Sequence, residues 1–134
     1  MTAMGVDIGS IGTKAALVVD GRLAGQVVLS TGYHAGRAAE RAKSRLLTEA
    51  GLGAEAVGRI VATGYGRKSA GFADRAVTEI SCHAAGARYF DPEIRTVIDV
   101  GGQDSKTIAL DASGRVKDFA MNDKCAAGTG RFLE

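Results

Sequence analysis

Short apolar runs separated by glycine-rich turns open the chain, and they predict strands. Three such runs cover residues 3–8, 14–19 and about 23–29, and Asp20-Gly21 between the last two is typical of a tight hairpin turn. The pattern then changes to helical spacing, and glycines at positions 51 and 53 end that helix. Its apolar face consists of Ala35, Ala38, Ala39, Ala42, Leu46 and Ala50. Three strands followed by a helix are therefore expected.

Further strands and a second helix follow. Glu79–Phe90 has helical character, and Asp91-Pro92 ends it because proline disfavours helix in the residue before it. The predicted strands are 59–62, 74–78, 94–100, 105–111 and 116–121. A last helix is expected to begin near Cys125. The order βββαβαβα, restarted after Pro92, predicts an α/β fold in which a mixed sheet carries helices on its faces.

One polar, glycine-rich hairpin occurs twice. The stretch Asp7–Lys14 returns as Asp99–Lys106, 92 residues later. The matched residues are Asp7 and Asp99, Gly9 and Gly101, Thr13 and Ser105, and Lys14 and Lys106. Two similar lobes, residues 1–92 and residues 93–134, are therefore predicted. The second is expected to be incomplete and to expose an apolar face of its sheet.

Composition limits the function classes. Of the 134 residues, 46% are hydrophobic and 24% charged, which is typical of a globular chain, and a net charge of +2 gives no reason to expect nucleic acid. Two cysteines, Cys82 and Cys125, form no disulfide framework. No apolar run reaches the ~18 residues of a membrane span, and the N-terminus lacks the features of a signal peptide. A cytoplasmic protein without membrane partners is expected.

The repeated hairpin has the chemistry of a phosphate site. Glycine lets a phosphate approach bare backbone N–H groups, and hydroxyls and a lysine add donors. The candidate residues are Gly9, Ser10, Ile11, Gly12, Thr13 and Lys14 in the first copy and Gly101, Gly102, Gln103, Ser105 and Lys106 in the second. Asp7 and Asp99 would repel phosphate but suit a hydrated Mg²⁺ beside it. Two such hairpins facing each other would hold a triphosphate; the alternative is a duplicated tight turn with structural glycines.

The paired hairpins resemble the phosphate-1 and phosphate-2 motifs of the actin, hexokinase and heat-shock chaperone ATPase superfamily, whose lobes have a ribonuclease H-like fold. Four stretches resemble one branch in particular, the ATPase activators of 2-hydroxyacyl-CoA dehydratases and the related ATPase subunits of benzoyl-CoA reductase. They are Thr63–Arg67, Thr78–Ala84, Asp99–Lys106 and Asn122–Phe132. The resemblance covers the whole chain.

The resemblance implies an ATP-hydrolysing, one-electron donor that serves a 2-hydroxyacyl-CoA dehydratase or a benzoyl-CoA reductase. Asp7 and Asp99 would place Mg²⁺ through water, and the glycine-rich turns would bind ATP and ADP. Polar reach alone, and not the resemblance, suggests that Gln103 or Asp104 orients the attacking water. Neither acyl-CoA system is favoured by the sequence, because the acyl-CoA binds to another protein.

The same resemblance implies a homodimer that holds one 4Fe–4S cluster, reduced by ferredoxin or flavodoxin, with two cysteines from each subunit. Cys125 matches the first ligand, and the second is expected beyond residue 134. Cys125 precedes a predicted helix, whose N-terminus favours a thiolate, although a lone cysteine is more often a small buried residue. Cys82, inside the helix 79–90, is expected to pack rather than to bind metal.

Two other functions compete with the electron donor. A small-molecule kinase of the same superfamily, acting on a sugar or a carboxylate, would contain no iron. A non-catalytic remnant would only pack against a partner chain. Tyr65 and Arg67 lie in a polar turn that either approaches a nucleotide or partner or forms plain surface.

Overall fold

The computed structural model describes residues 1–102 and 104–122. The chain divides into two compact units, Met1–Val77 and Thr78–Glu134. The lobe boundary predicted at residue 92 rests on the sequence repeat and stays a prediction; the unit boundary lies earlier, before the second helix. Gln103 and the predicted helix from Cys125 lie outside the described residues.

The first unit is a five-stranded mixed sheet with one long helix. Its elements are β1 (Thr2–Ile8), β2 (Gly12–Val19), β3 (Arg22–Ser30), α1 (Ala35–Ala50), β4 (Arg59–Thr63) and β5 (Arg75–Ala76), with a 3₁₀ turn at Ala54–Ala56. The strand order is β3-β2-β1-β4-β5. The pairs β3-β2 and β2-β1 are antiparallel, and the pairs β1-β4 and β4-β5 are parallel. The predicted mixed sheet is confirmed.

Alternation in the strands and small residues on the helix build the core of this unit. Every second residue of β1 is buried (Met4, Val6 and Ile8), as expected for one covered face. The alanine face of α1 lets the helix approach closely, and Leu46 lies opposite Gly25 of β3, where an added Cβ would be 3.2 Å from it. Gly51, at φ 65°, ends the helix in the left-handed conformation that glycine tolerates.

The connection between β4 and β5 differs from the predicted order. A single 3₁₀ turn, Arg67–Ser69, stands where βββαβαβα implies an α-helix. Three glycines, at positions 64, 66 and 71, lie within this short connection, and glycine is unfavourable in a helix. The chain therefore turns here instead of forming a helix.

The second unit pairs one helix with a three-stranded antiparallel sheet. Its described elements are α2 (Glu79–Phe90), β6 (Thr96–Val100), β7 (Ser105–Leu110) and β8 (Val116–Asn122), with strand order β6-β7-β8. Ala84 of α2 packs with Ile108 and Leu110 of β7 in a small core. Large apolar side chains remain exposed on the outer strands, among them Ile98 at 73% and Phe119 at 53%.

No helix in the described part of the chain is long and apolar enough to cross a membrane.

Candidate functional site

The first hairpin is closed by one backbone hydrogen bond. Asp7 near the end of β1 pairs in register with Lys14 of β2, and Ile8 pairs with Thr13. Between them the N–H of Gly9 donates to the carbonyl of Gly12 at 3.0 Å. A Cβ on Gly9 would lie 2.7 Å from that same carbonyl oxygen, so only glycine fits. The turn is therefore tight because of the glycine that the sequence places there.

Thr31, which follows β3, stabilises this turn through two hydrogen bonds. Its N–H donates to the carbonyl of Ile11 at 2.9 Å, and its hydroxyl donates to the carbonyl of Gly9 at 2.8 Å. Thr13, expected to offer its hydroxyl to phosphate, is 0% exposed and lies 2.9 Å from the Thr31 hydroxyl. Since the Thr31 proton goes to Gly9, Thr13 is the donor of that pair. Thr31 was not predicted from the sequence, because it belongs to no motif.

The top of the turn faces solvent. Ser10 is exposed, as is Ile11 at 69%, and their N–H groups donate no hydrogen bond within the described part of the chain. Half of the Lys14 side chain is exposed, and its Nζ lies 3.2 Å from Asp7 Oδ2. Bare amides beside an ammonium group form an anion-binding surface.

The Thr63–Arg67 turn is pressed against the carboxylate of Asp7. The N–H of Gly66 donates to the carbonyl of Ile8 at 2.8 Å, and Arg67 Nη1 donates to the carbonyl of Gly64 at 3.0 Å. Gly64 has φ +91°, and an added Cβ would lie 2.4 Å from Asp7 Oδ1. Tyr65 is 81% exposed. This turn is therefore part of the first hairpin's surroundings.

The second hairpin repeats the first in backbone. Asp99 of β6 pairs in register with Lys106 of β7. The N–H of Gly101 donates to the carbonyl of Asp104 at 2.8 Å, which is the same three-residue closure that joins Gly9 to Gly12. Gly102 is exposed at the turn. The internal repeat seen in the sequence is thus a repeat of hydrogen bonding.

The second lysine has a different environment. Lys106 is 3% exposed, and its Nζ lies 2.6 Å from Asp104 Oδ1, 3.1 Å from Glu79 Oε2 and 3.5 Å from Asp99 Oδ2. Burial alone would lower the pKa of Lys106, but the carboxylates of Asp104 and Glu79 outweigh it and raise that pKa above its ordinary value. The ammonium is therefore charged and enclosed by acids.

Helix α2 contributes two residues to this cluster. Glu79 in its first turn reaches Lys106, and His83, one turn later, places Nδ1 3.5 Å from Asp99 Oδ1. Residues four apart lie on one face of a helix, so one face of α2 contacts the hairpin. Neither residue was predicted to belong to the site, although their spacing is visible in the sequence.

The described residues offer little to a multi-ligand metal site. Within residues 1–102 and 104–122, no group of three or more His, Cys, Asp or Glu is arranged to hold a metal ion. Cys82 is half-buried in α2 with its thiol free. Cys125 and Gln103 lie outside the described residues.

Comparison with known proteins identifies similar chains. The BadF/BadG/BcrA/BcrD ATPase family matches residues 4–134. The activator of lactoyl-CoA dehydratase from Anaerotignum propionicum is 47% identical over 137 residues, covering 100% of this chain and 52% of its own. A benzoyl-CoA reductase component from Thauera aromatica is 41% identical over 96 residues, covering 72% of this chain and 34% of its own.

A solved structure agrees with the fold. The activator of the 2-hydroxyisocaproyl-CoA dehydratase from Clostridium difficile, with bound ADPNP, has a TM-score of 0.88 and 43% identity, covering 99% of this chain and 50% of that one. The chain thus spans about half the length of the curated relatives it matches. The expected family and its ATPase fold are confirmed.

Replacing Gly64 by Ala tests the contact with Asp7. Gly32, at φ +62° with nothing within 4 Å of an added Cβ, is the matched control. Gly32→Ala should cost about 1–2 kcal/mol of unfolding free energy from backbone strain alone. Gly64→Ala should cost a further 1–3 kcal/mol or so from overpacking against Asp7 and Ile8. Urea unfolding of both variants measures the difference; equal losses would show that the turn is not pressed on Asp7.

Replacing Lys106 by Met tests the buried ammonium through pH. The variant leaves three carboxylates without their cation, and breaking a buried pair costs about 3–5 kcal/mol near neutral pH. Because the folded-state pKa of Lys106 is raised, its contribution is fully present below the unfolded value of 10.5 and is lost as pH rises through the higher folded value. Between neutral pH and about pH 10, urea unfolding should therefore show a constant gap in unfolding free energy between wild type and variant, and the gap should narrow above that range. Lys117→Met, at an exposed lysine of the same unit, should show no such gap.

Proposed function

This chain belongs to the BadF/BadG/BcrA/BcrD ATPase family, and we propose that it carries the phosphate-binding hairpins of an ATPase that activates a 2-hydroxyacyl-CoA dehydratase by one-electron transfer. The observation that carries the proposal is the duplicated hairpin, with the same closure from Gly9 to Gly12 and from Gly101 to Asp104. The relative from Anaerotignum propionicum is an activator of lactoyl-CoA dehydratase, which supports a dehydratase as the protein that this ATPase activates.

In this proposal the first hairpin binds phosphate directly. The exposed amides of Ser10 and Ile11 and the ammonium of Lys14 are the donors, and Gly9 and Gly12 let the phosphate approach the backbone. Thr13 acts through Thr31 by holding the turn, since its hydroxyl is already used. In the second hairpin Gly101 and Gly102 have the corresponding role.

Each of the two aspartates has the chemistry to bind a hydrated Mg²⁺ through water. Asp7 and Asp99 expose 34% and 27% of their side chains near strand ends, and Mg²⁺ is usually held by one or two carboxylates, waters and substrate phosphates. Bound there, the ion would neutralise phosphate charge. Asp104 Oδ1 is held by Lys106 at 2.6 Å, which favours Gln103 over Asp104 for orienting the attacking water.

The electron-transfer part rests on the family resemblance. A 4Fe–4S cluster takes four thiolates, and among the described residues Cys82 alone has a thiol. Cys125 is the proposed ligand, in a homodimer that shares the cluster and receives its electron from ferredoxin or flavodoxin. A reducing cytoplasm suits such a protein.

The dehydratase is favoured over benzoyl-CoA reductase as the partner. The lactoyl-CoA dehydratase activator is 47% identical over 100% of this chain, whereas the reductase component is 41% identical over 72% of it. Both relatives extend well beyond the region that matches this chain. The identity of the acyl-CoA protein that it serves is therefore proposed from their names.

Lys14→Gln tests phosphate binding by the first hairpin. Loss of a charge-assisted hydrogen bond should weaken ATP binding by roughly 10- to 100-fold. Lys68→Gln, at an exposed lysine of the same unit, is the control and should leave affinity unchanged. Calorimetric titration of the chain with ATP and Mg²⁺ measures both. Equal affinities in the two variants would remove Lys14 from the site.

Anaerobic analysis for iron and sulfide tests the electron-donor role in the full-length protein. Four irons and four sulfides per dimer are expected for a shared 4Fe–4S cluster. Cys125→Ala should abolish iron binding, and Cys82→Ala should leave it intact. An iron-free dimer that hydrolyses ATP would contradict electron transfer and favour a kinase.

A further inference from the structure

The two lysines of the repeat occupy the same strand position but have different surroundings. Both pair in register with the aspartate of their hairpin, Lys14 with Asp7 and Lys106 with Asp99. The side chain of Lys14 is 50% exposed, whereas that of Lys106 is 2% exposed. In the sequence alone the two are equivalent candidates for binding phosphate. Their burial separates them.

The ammonium of Lys106 is occupied by acids, with hydrogen bonds to Asp104 and Asp99 and an ion pair with Glu79. An ammonium group has three N–H donors and no acceptor. Three carboxylates surround it, with Asp104 at 2.6 Å, Glu79 at 3.1 Å and Asp99 at 3.5 Å. With its side chain 2% exposed among these acids, the ammonium has no open side for a phosphate oxygen. Lys14 donates to Asp7 alone among the described residues, and so keeps two donors for a ligand.

The three acids come from different parts of the second unit. Asp99 is the next-to-last residue of β6, Asp104 closes the turn through its carbonyl, and Glu79 lies in the first turn of α2. His83 adds a second contact from α2 to Asp99, at 3.5 Å. Lys106 is thus the common partner that joins the helix to both aspartates of the hairpin.

We propose that Lys106 is a positioning residue, not a phosphate ligand: its ammonium fixes Asp99 and Asp104 to helix α2 through Glu79, so that Asp99 is held where it would bind a nucleotide-bound Mg²⁺ through water. The proposal rests on the proposed function for the role of Asp99. The chemistry is that of an outer-shell partner, which orients a carboxylate without touching the metal or substrate. The two lysines then have separate roles: Lys14 binds phosphate, and Lys106 positions the carboxylates.

Glu79→Gln separates positioning from phosphate binding. It keeps the shape of the side chain but removes one of the charges that hold Lys106. Affinity for ATP with Mg²⁺ should fall about tenfold, the lower end of outer-shell effects on metal binding, while affinity for ATP in EDTA stays within about twofold. Glu93→Gln, at an exposed glutamate of the same unit, is the control and should change neither.

Lys106→Met tests directly whether the ammonium positions the acids or binds phosphate. A positioning role predicts loss of Mg²⁺-dependent affinity only, whereas a phosphate ligand predicts equal loss with Mg²⁺ and in EDTA, as expected for Lys14→Gln. Equal loss in Lys106→Met would overturn the proposal. Glu79→Gln keeps the test decisive if the methionine variant does not fold.

A readout without nucleotide distinguishes failure of this proposal from failure of the proposed function. The N–H of Gly101 donates to the carbonyl of Asp104, so its hydrogen exchange reports on the closed turn. Exchange at Gly101 in the ligand-free chain should be about tenfold faster in Glu79→Gln than in wild type, and unchanged in Glu93→Gln. Equal rates in the two variants would overturn positioning. A wild type that binds no ATP would contradict the proposed function in this chain, and the exchange rates would still decide the role of Lys106.

Discussion

The structure of both hairpins depends on a three-residue backbone closure. The hydrogen bonds from Gly9 to Gly12 and from Gly101 to Asp104 reverse the chain direction in a tight turn that begins at a glycine. This closure sets the register of the following strand, and the register sets which side chains stand beside the aspartate. Without it, Asp7 and Lys14 would not be cross-strand neighbours, nor would Asp99 and Lys106.

The same closure serves two different side-chain environments. The first hairpin is supported from below by Thr31 and is open above, so its donors face solvent. The second is covered by α2, which encloses Lys106 among acids. The two copies share one backbone closure but differ in the charges around it, since Lys14 is half exposed and Lys106 is enclosed by acids.

Much of this fold could be predicted from sequence because its signals are local. Alternating apolar residues and the Asp20-Gly21 turn, where both residues have positive φ, specify the first three strands. The burial of Lys106 could not be predicted, since it depends on helix α2, whose Glu79 lies 27 residues away in the chain. Thr31 was missed for the same reason: its partners at Gly9 and Ile11 are brought close by the sheet. The roles of Gln103 and Cys125 stay predictions.

The position of Thr31 has a mechanical consequence. It follows directly after β3, and β3 is the outermost strand of its sheet, bonded on one side to β2. The outermost strand of a sheet is the one that separates most readily from it. The turn from Gly9 to Gly12 is therefore held by a residue at the edge of the sheet, not at its centre. Opening of this edge strand alone would break both hydrogen bonds from Thr31 and leave the carbonyls of Gly9 and Ile11 without these donors.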